Sequence, residues 1–505
     1  MTGPSQTALI ETPTGEAPKR KRSRKSKWLL IAAVFVAFCL VRWATDASQF
    51  TSSGSVQAAL VLTIPIAMAG LAGLWSERAG IVNIGLEGML IAGTIFGAWL
   101  GVAAGPWVGV LGGILGGALF GLIHAVATVT FGVDQIVSGV AINILAVGVA
   151  GLLAELLFPE SNGKQSPGPG QITKITLPWN DALNSLQAKG IPVISDLAGI
   201  ISGMTTSLSL LTIVCLLLFP LTWWILWRTA WGLRVRSAGE NPKAAETLGV
   251  NVYKMKYLAV ILSGAIGGLG GAYLITVSAQ GYLENQTGGK GYIGLAAMIF
   301  GNWTPSGTLL GSLLFGYSTA VNQRSDLSAS TAIVVLAAIG LAVLLVLELR
   351  KLATRRGEVA VKRSSQRTTV IFTCALVAVS LVSLVFAGIN LLSQGQFIPD
   401  SPENTTLGKV GVIVLVGVVM VLFAGIAYYG VQAIRATVAH AQTSANLPAY
   451  VAGYALFAWM WLSGTGIPQS FKSAIPNIIT LLVLTFASQR LRMPAADGLV
   501  YRRGE

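Results

Sequence analysis

Long runs of apolar residues recur along the whole chain, and they limit the class of fold that it can form. Each run is about 20 residues long, which at about 1.5 Å per helical residue matches the apolar thickness of a lipid bilayer. Of the 505 residues, 53% are hydrophobic and only 11% are charged, whereas about a quarter of a soluble protein is charged. The pattern predicts an all-α polytopic membrane protein and excludes a soluble enzyme with one anchor.

Basic residues are concentrated beside the apolar runs. The formal net charge is +14, and residues 19–27 read KRKRSRKSK, directly before the first run. Basic residues that flank membrane spans mark the cytoplasmic side. We therefore expect residues 1–27 to form a disordered basic cytoplasmic tail. The expected partner of its charges is membrane lipid and not nucleic acid.

Loop charges orient the spans. The loops at 229–256 and 350–369 are rich in Lys and Arg, and 391–407 contains neither. A consistent alternation gives about fourteen crossings with both termini in the cytoplasm. It also requires residues 292–322 to form a hairpin of two short helices. The second to seventh spans are expected at about 56–75, 84–104, 106–131, 134–158, 205–228 and 257–277.

Small and aromatic residues follow patterns typical of membrane bundles. Glycines recur every four residues within 93–101, 109–121 and 264–268. Small residues at this spacing allow helix backbones to approach closely in lipid, so the pattern predicts a tightly packed bundle. The run at 205–228 ends in WWILWRTAW, and these tryptophans predict an interfacial aromatic belt.

One polar stretch, SERAGIVNIGLEGM at 76–89, interrupts the apolar pattern. Asn83 and Glu87 are four apart and would share one face if a helix begins just before them. A lone carboxylate in lipid costs about 2.5–3.5 kcal/mol, so we expect Glu87 to face the bundle or a wet cavity. Two interpretations stay open. Glu87 lines or gates a translocation path, or the polar residues pair and cap a broken helix, with Glu77 and Arg78 as an ion pair.

Signatures of an intrinsic source of energy or of catalysis are missing from the sequence. It contains no GxxxxGK[ST] phosphate loop, no nucleophile elbow, no HExxH motif and no zinc-type cysteine spacing. Ionisable residues within the apolar runs are few, and Glu87, His124 and Glu155 are the main ones. We therefore expect no catalytic residue, no metal and no cofactor on this chain. A passage driven by another protein is favoured over an ion-coupled secondary transporter.

A short helix is predicted within the polar loop at 229–256. Asn241 is suited to cap its start, Pro242 to occupy its first turn, and Gly249 to end it. The loop therefore presents a two-turn helix at about 242–248 to the cytosol, where a partner protein could grip it.

Four blocks of sequence resemble one family of membrane proteins. SERAGIVNIGLEGMLIAG resembles the signature of bacterial ABC-importer permeases of the nucleoside and simple-sugar branch, and SAGENPKAAETLGVNVYKMK resembles their cytoplasmic coupling loop. AAMIFGNWTPSGTLLGSLLFG is similar to their glycine-rich hairpin, and AIPNIITLLVLTFASQRLRMPAADG to their last span and tail. The blocks cover about 56–325 and 467–503. The chain is most similar to the shorter of the two permeases in nucleoside importers.

The resemblance implies a transmembrane permease subunit of an ATP-driven importer in the bacterial plasma membrane, with a nucleoside as substrate. It also implies three protein partners: a cytosolic ABC ATPase that binds the ATP, a second and unlike permease, and an extracytoplasmic substrate-binding lipoprotein. A simple-sugar (ribose-like) or branched-chain amino acid importer is the alternative.

The resemblance also assigns residues. The coupling helix maps to about Asn241–Gly249 and would occupy a cleft on the ATPase. The residues expected there are Asn241, Pro242, Ala244, Ala245, Glu246 and Gly249. The residues expected in the translocation path, or in a structural motif beside it, are Asn83, Glu87, Asn143, Asn302 and Trp303. Trp303 is either a surface on which a nucleobase stacks or a packing residue.

The chain departs from the family at about 326–466. This segment is predicted to be an insertion of about four spans, added to a core of about ten. The core then consists of 28–325 and of a last span and cytoplasmic tail at 467–505. Because four is an even number, the insertion leaves the direction of the last span unchanged.

Overall fold

The computed structural model describes residues 48–161, 164–324 and 492–502, together with positions 35, 36, 38, 39 and 42. The predicted insertion at 326–466 and the last predicted span lie outside the described residues, as does most of the first span. The described helices are α1 (Ser53–Arg78), α2 (Leu86–Ala104), α3 (Pro106–Ala125), α4 (Gln135–Leu157), α5 (Asn180–Ala188), α6 (Ile194–Thr205), α7 (Leu210–Arg228), α8 (Ala230–Glu240), α9 (Pro242–Thr247), α10 (Val252–Tyr273), α11 (Lys290–Phe300) and α12 (Pro305–Arg324).

Six of these helices are long and apolar enough to cross a membrane. They are α1, α2, α4 and α7, together with α3 and α10, which continue through π-helical turns to Thr130 and Ser278. They correspond to the second to seventh predicted spans, so the all-α, multi-pass architecture is confirmed. The total of about fourteen crossings stays a prediction.

The loop before α7 contains more structure than the sequence analysis anticipated. The sixth span was expected to begin at residue 205, but α7 begins at Leu210. The residues before it form α5 and α6, and a two-residue antiparallel pair joins β1 (Lys174–Ile175) to β2 (Leu208–Ser209). The predicted start was wrong because residues 205–209 form the last residue of α6, a bend and β2, and the Ser209 side chain caps the helix that begins after them.

Side-chain caps fix where several helices begin. The Asp134 carboxylate accepts hydrogen bonds from the amides of Ile136 and Val137, the second and third residues of α4, at 2.9 and 3.0 Å. Ser52, Ser209, Thr229 and Asn251 cap α1, α7, α8 and α10 in the same way, at 3.0–3.3 Å. The first N–H groups of a helix have no partner within it, so these residues place the helix starts.

Helix α1 lies at the centre of the bundle and contacts α2, α6–α8, α10, α11 and α12. It is apolar on all sides, and nearly all of its residues from Ala59 to Glu77 are buried. A helix without a polar face is stable only when other helices or lipid surround it. We call the end of the bundle where α1 finishes the Arg78 end, and the opposite one the Ser53 end.

Glycines allow α2, α3 and α10 to pack with their backbones in contact. A Cβ atom on Gly93 would lie 2.3 Å from the carbonyl oxygen of Gly268, and one on Gly117 would lie 2.2 Å from that of Gly264. Real Cβ atoms do not approach so closely, so only glycine fits without moving a helix. The predicted glycine packing is therefore confirmed.

The expected hairpin at 292–322 is present as α11 and α12. Gly301 and Gly307 touch at its turn, where a Cβ on Gly307 would lie 2.3 Å from the Gly301 oxygen. Helix α11 runs parallel to α1, with Gly294 beside Ile66 and Gly70 in the middle of α1. The hairpin therefore enters at mid-bundle, turns at the Arg78 end and returns along α1.

The tryptophans near the end of α7 serve two different roles. Trp223 and Trp224 are exposed, at 45% and 55%, as an interfacial belt requires. Trp231 instead packs against a tryptophan of α1, and the Trp227 ring lies 5.3 Å from the Arg78 guanidinium. The belt prediction therefore holds for two of the four residues only.

Replacing Gly117 with Ala should destabilise the bundle. The added methyl group would meet the α10 backbone, and overpacking of this kind costs about 1–3 kcal/mol. Thermal unfolding of the purified protein in lipid nanodiscs measures the effect. Gly151→Ala in α4 is the matched control, because no described atom lies within 4 Å of its Cβ position. Equal midpoints for both variants would contradict the packing account.

Candidate functional site

Helix α2 begins inside the bundle. Its first residue, Leu86, lies beside Gly73 of α1, which is five residues, or about 7 Å of helix, short of the α1 end. Residues 79–85 therefore run back along α1 as an interrupted, largely non-helical stretch, which we call the break. The structure corrects one expectation: Asn83 precedes the helix start, so Asn83 and Glu87 do not share a helical face.

Glu87 joins α2 to the start of α11. Its Oε1 accepts a hydrogen bond from the Gly289 amide at 2.9 Å, and Oε2 accepts one from the Gly291 amide at 2.6 Å. The carboxylate thereby caps a helix N-terminus, where unpaired N–H groups favour a negative charge. Gly289 has φ +78° and a Cβ on Gly291 would lie 2.5 Å from the Glu87 backbone, so both glycines are needed for this approach.

Asn143 of α4 spans the two sides of the break. Its Oδ1 accepts from the Gly88 amide at 2.7 Å, and its Nδ2 donates to the Ile84 carbonyl at 3.0 Å. The same Nδ2 lies 2.9 Å from the hydroxyl of Tyr292 in α11. One amide side chain thus connects the break, α4 and the hairpin.

Further side chains satisfy the backbone of the break. The Val82 amide donates to Oε1 of Gln135 at 2.6 Å, and the Val82 carbonyl lies 3.3 Å from Nε2 of His124. Asn83 donates through Nδ2 to the Ser263 hydroxyl at 2.9 Å. Unpaired backbone groups are costly away from water, so α3 and α4 supply polar groups to the backbone here, and α10 supplies one to the Asn83 side chain.

Trp303 occupies the Arg78 end of the break. Its indole N–H donates to Oε2 of Glu77 at 2.6 Å, and its carbonyl accepts from Nη2 of Arg78 at 2.6 Å. The ring is 3% exposed, so the structure gives it the packing role and leaves no face on which a base could stack. The expected ion pair between Glu77 and Arg78 is replaced: Arg78 pairs with Glu240 at 4.0 Å.

Asn302 lies at the hairpin turn at the same end. Both Asn302 and Trp303 have positive φ, at 53° and 51°. The Asn302 Oδ1 accepts a hydrogen bond from the Arg492 amide at 2.6 Å. It therefore binds the 492–502 segment, and the structure does not place it with Asn143.

The predicted short helix is present as α9. Oδ1 of Asn241 accepts from the Ala244 amide at 3.0 Å, Pro242 is the first helical residue, and Gly249 ends the turn with φ +82°. The helix finishes at Thr247, one residue earlier than expected. Ala245 is buried, whereas the helix otherwise protrudes.

The 492–502 segment contains contacts that the sequence analysis did not assign. Asp497 is 8% exposed and lies against the carboxyl group of Glu77. Burial raises the pKa of Asp497 to about 7, although the neighbouring Glu77 and Gly498 and the charges of Lys256 and Arg78 lower it. The sequence block MPAADG resembles the tail of the permease family and so marked this segment, but the sequence did not show that the Asp497 carboxylate would be buried.

The chain belongs to a family of membrane transport permeases. The family model described as branched-chain amino acid transport system / permease component matches residues 55–344. The match includes every described membrane-spanning helix, and it ends within the segment that the sequence analysis treats as inserted.

Three relatives show the range within this family. The chain is 39% identical over 275 residues to the guanosine ABC transporter permease protein NupQ of Bacillus subtilis, covering 53% of this chain and 81% of that protein. It is 36% identical to the nucleoside ABC transporter permease protein NupC of Lactococcus lactis, and the match covers 52% of this chain and 80% of that protein. It is 34% identical to the putative glucose ABC transporter permease protein TsgC13 of Haloferax volcanii, and the match covers 54% of this chain and 77% of that protein.

Replacing Glu87 with Ala should lower stability. The change leaves two amides at the α11 N-terminus without their acceptor, at an expected cost of about 1–3 kcal/mol. Thermal unfolding in nanodiscs, together with uptake, separates the two interpretations of this residue. Glu155→Ala, an exposed carboxylate on α4, is the control. An unchanged unfolding midpoint with abolished uptake would support the gating interpretation instead.

Docking of the 492–502 segment should weaken as pH rises. The pKa of Asp497 is higher in the docked segment, about 7, than its ordinary value of 3.8. Docking is therefore strongest below pH 3.8 and is lost progressively up to about pH 7, by up to about tenfold per pH unit.

Hydrogen–deuterium exchange of the 492–502 peptide, corrected for intrinsic rates, measures this dependence. We expect lower protection at pH 7.5 than at pH 5.5 in the unaltered protein, and a smaller difference in Asp497→Asn. The same pH dependence in both proteins would show that another group titrates.

Proposed function

We propose that this chain is the membrane permease subunit of an ATP-driven (ABC) importer for nucleosides. The observation that carries the proposal is the 39% identity to the guanosine permease of Bacillus subtilis, over 275 residues. A second nucleoside permease supports it at 36%. The family match covers the break, the hairpin and the α8–α9 segment together.

The shape of α9 supports coupling to an ATPase. Leu248 is 85% exposed directly after the helix, and Lys243, Ala244 and Thr247 are exposed on it. A cytosolic ATPase would bind this outer face. Ala245 and Glu246 face the chain itself, because Ala245 is buried and Glu246 is bonded to Tyr501.

The remaining partners follow from this role. The Arg78 end would face the cytosol of a bacterial cell, where the ATPase binds and hydrolyses ATP. A second, unlike permease would complete the passage, and a lipoprotein outside the membrane would deliver the substrate. We propose no cofactor for this chain, and both termini would be cytoplasmic.

The geometry suggests how motion reaches the passage. Helix α8 touches the end of α1 where Gly239 meets Arg78: a Cβ on Gly239 would lie 2.4 Å from the Arg78 carbonyl oxygen. Arg78 in turn holds the hairpin through the Trp303 carbonyl. A displacement of α9 would therefore move α8, the α1 end and the hairpin turn together.

A small cleft between α2, α4 and the residues before α11 supports a substrate path along this side of α2. Its polar lining consists of Thr94, Tyr282, Glu284, Asn285, Gln286 and Thr287. Hydroxyl and amide groups of this kind can hydrogen-bond the ribose and base of a nucleoside. Asn83, Glu87 and Asn143 would then support the path wall from behind, since their described contacts hold helices together.

A simple sugar is the second candidate substrate. The 34% identity to a putative glucose permease favours it. A nucleoside contains a sugar, so polar groups that bind ribose hydroxyls serve either substrate. Branched-chain amino acids, which the family description names, have no such hydroxyls.

Uptake measurements test the substrate. In cells lacking this chain, we expect loss of radiolabelled guanosine and uridine uptake, with normal uptake of ribose, glucose and leucine. Restoring the chain should restore nucleoside uptake. Loss of sugar uptake alone would assign the chain to the sugar importers.

Replacing Leu248 with Asp should uncouple the importer. A charge at this exposed position disrupts an apolar contact with the ATPase but leaves the permease fold intact, so we expect at least about a tenfold loss of uptake at an unchanged amount of chain in the membrane. Leu248→Met, which keeps an apolar side chain, is the matched control. Normal uptake by Leu248→Asp would exclude α9 as the coupling element.

A further inference from the structure

The 492–502 segment packs into the junction between α8 and the break. The Ala496 amide donates to the Gly239 carbonyl at 2.9 Å, and the Ala495 amide donates to Oε2 of Glu240 at 3.2 Å. A Cβ on Gly80 would lie 3.1 Å from the Gly239 backbone and 3.2 Å from the Ala496 carbonyl oxygen. Three backbone stretches therefore meet at one point, and a glycine on the break permits it.

Tyr501 connects α9 to α10. Its hydroxyl donates to Oε2 of Glu246, at the end of α9. Its ring packs against Tyr253, with centroids 5.6 Å apart, and the Lys256 ammonium lies 5.8 Å from its centroid. Lys256 is 2% exposed and its Nζ lies 3.5 Å from the Gly80 carbonyl. The Tyr501 ring thus packs on α10, whose Lys256 in turn contacts the break, and the Tyr501 hydroxyl binds α9.

Two further contacts extend this segment across the Arg78 end. Asp497 is buried against Glu77 at the end of α1, and the Arg492 amide binds Asn302 at the hairpin turn. Eleven residues therefore contact α1, α8, α9, α10 and the hairpin. The charged groups that face Asp497 come from two helices: Glu77 and Arg78 from α1, and Lys256 from α10. The segment is therefore bound specifically and not through apolar contact alone.

We propose that the 492–502 segment positions α9 for its ATPase partner, with Tyr501 acting through Glu246 as the main positioning residue. This inference rests on the proposed function. It assigns Glu246 to a contact within the chain, where the resemblance to importers places it in the contact with the ATPase. Without the Tyr501 hydroxyl, α9 keeps its caps but loses its fixed relation to α10, so ATPase motion reaches α1 and the hairpin less completely.

The test uses Tyr501→Phe in the complete importer, assembled with its ATPase and second permease in nanodiscs. We expect basal ATP hydrolysis to persist, nucleoside transported per ATP to fall by about two- to tenfold, and amide exchange in residues 241–251 to accelerate by a similar factor. Tyr257→Phe is the matched control, because it removes one hydroxyl from α10 near the same end, where the partner is Thr130.

A double-mutant cycle tests whether Tyr501 acts through Glu246. Glu246→Ala alone, Tyr501→Phe alone and the double variant should reduce transport per ATP by the same factor, because each removes one shared hydrogen bond. Glu246→Gln keeps an acceptor and should restore most of the coupling. Additive losses would show that Glu246 contacts the ATPase directly, and they would overturn the proposal.

The remaining outcomes separate the two proposals. Wild-type exchange and coupling in Tyr501→Phe would overturn the positioning role, while the Leu248→Asp result still decides the coupling role of α9. If Tyr501→Phe does not reach the membrane, Glu240→Ala and Glu240→Gln replace it, because this half-exposed residue accepts from the Ala495 amide. Both variants lose the charge that faces Arg78, so the difference between them reports the Ala495 contact. Glu240→Ala should lower the coupling further than Glu240→Gln, and equal coupling in both would overturn the proposal.

Discussion

The interruption between α1 and α2 is the constraint on which the described structure depends. A helix that stops inside an apolar bundle exposes backbone N–H and C=O groups where water cannot reach them. Neighbouring helices satisfy these groups: Gln135 and Asn143 come from α4, and His124 comes from α3. Because each contributor must lie within about 3 Å of a particular backbone atom, the break fixes the relative positions of these helices and of α10 and α11 as well.

Close packing turns this arrangement into a set of rigid units. The glycine contacts between α2, α3 and α10 leave no space in which these helices could slide independently. The Arg78 end is held by hydrogen bonds as well: Trp303 bonds to Glu77 and Arg78, Gly239 to Ala496, and Tyr501 to Glu246. Polar contacts of this kind can be exchanged one for another, which suits a part of the protein that must respond to a partner.

Close glycine packing along α2, α3 and α10 thus holds the helix positions, and the Arg78 end adds polar contacts to similar glycine contacts. In the proposed importer, the ATPase would act where the contacts are polar, and the glycine-packed helices would carry the motion without deforming. The pH dependence predicted for Asp497 would act at the same junction, because burial raises the pKa of its carboxyl group there. The described contacts of Glu87, Asn143 and Trp303 join neighbouring helices, and a role of these residues in a translocation path stays a prediction.

The sequence alone determined the membrane class, the positions of six spans, the α11–α12 hairpin and the caps of α9. Each follows from a local rule, such as the length of an apolar run, the four-residue glycine spacing, or Asn241, Pro242 and Gly249 around a short helix. The tertiary structure decided the partners of Glu87, Arg78 and Trp303 and the burial of Asp497, because these residues are far apart in sequence from the groups they contact, from Arg78 and Trp227 to Glu77 and Asp497. No periodicity in the sequence specifies where α2 begins after the break or which backbone amides a carboxylate will contact. Only the packing of the helices brings those groups within hydrogen-bonding distance.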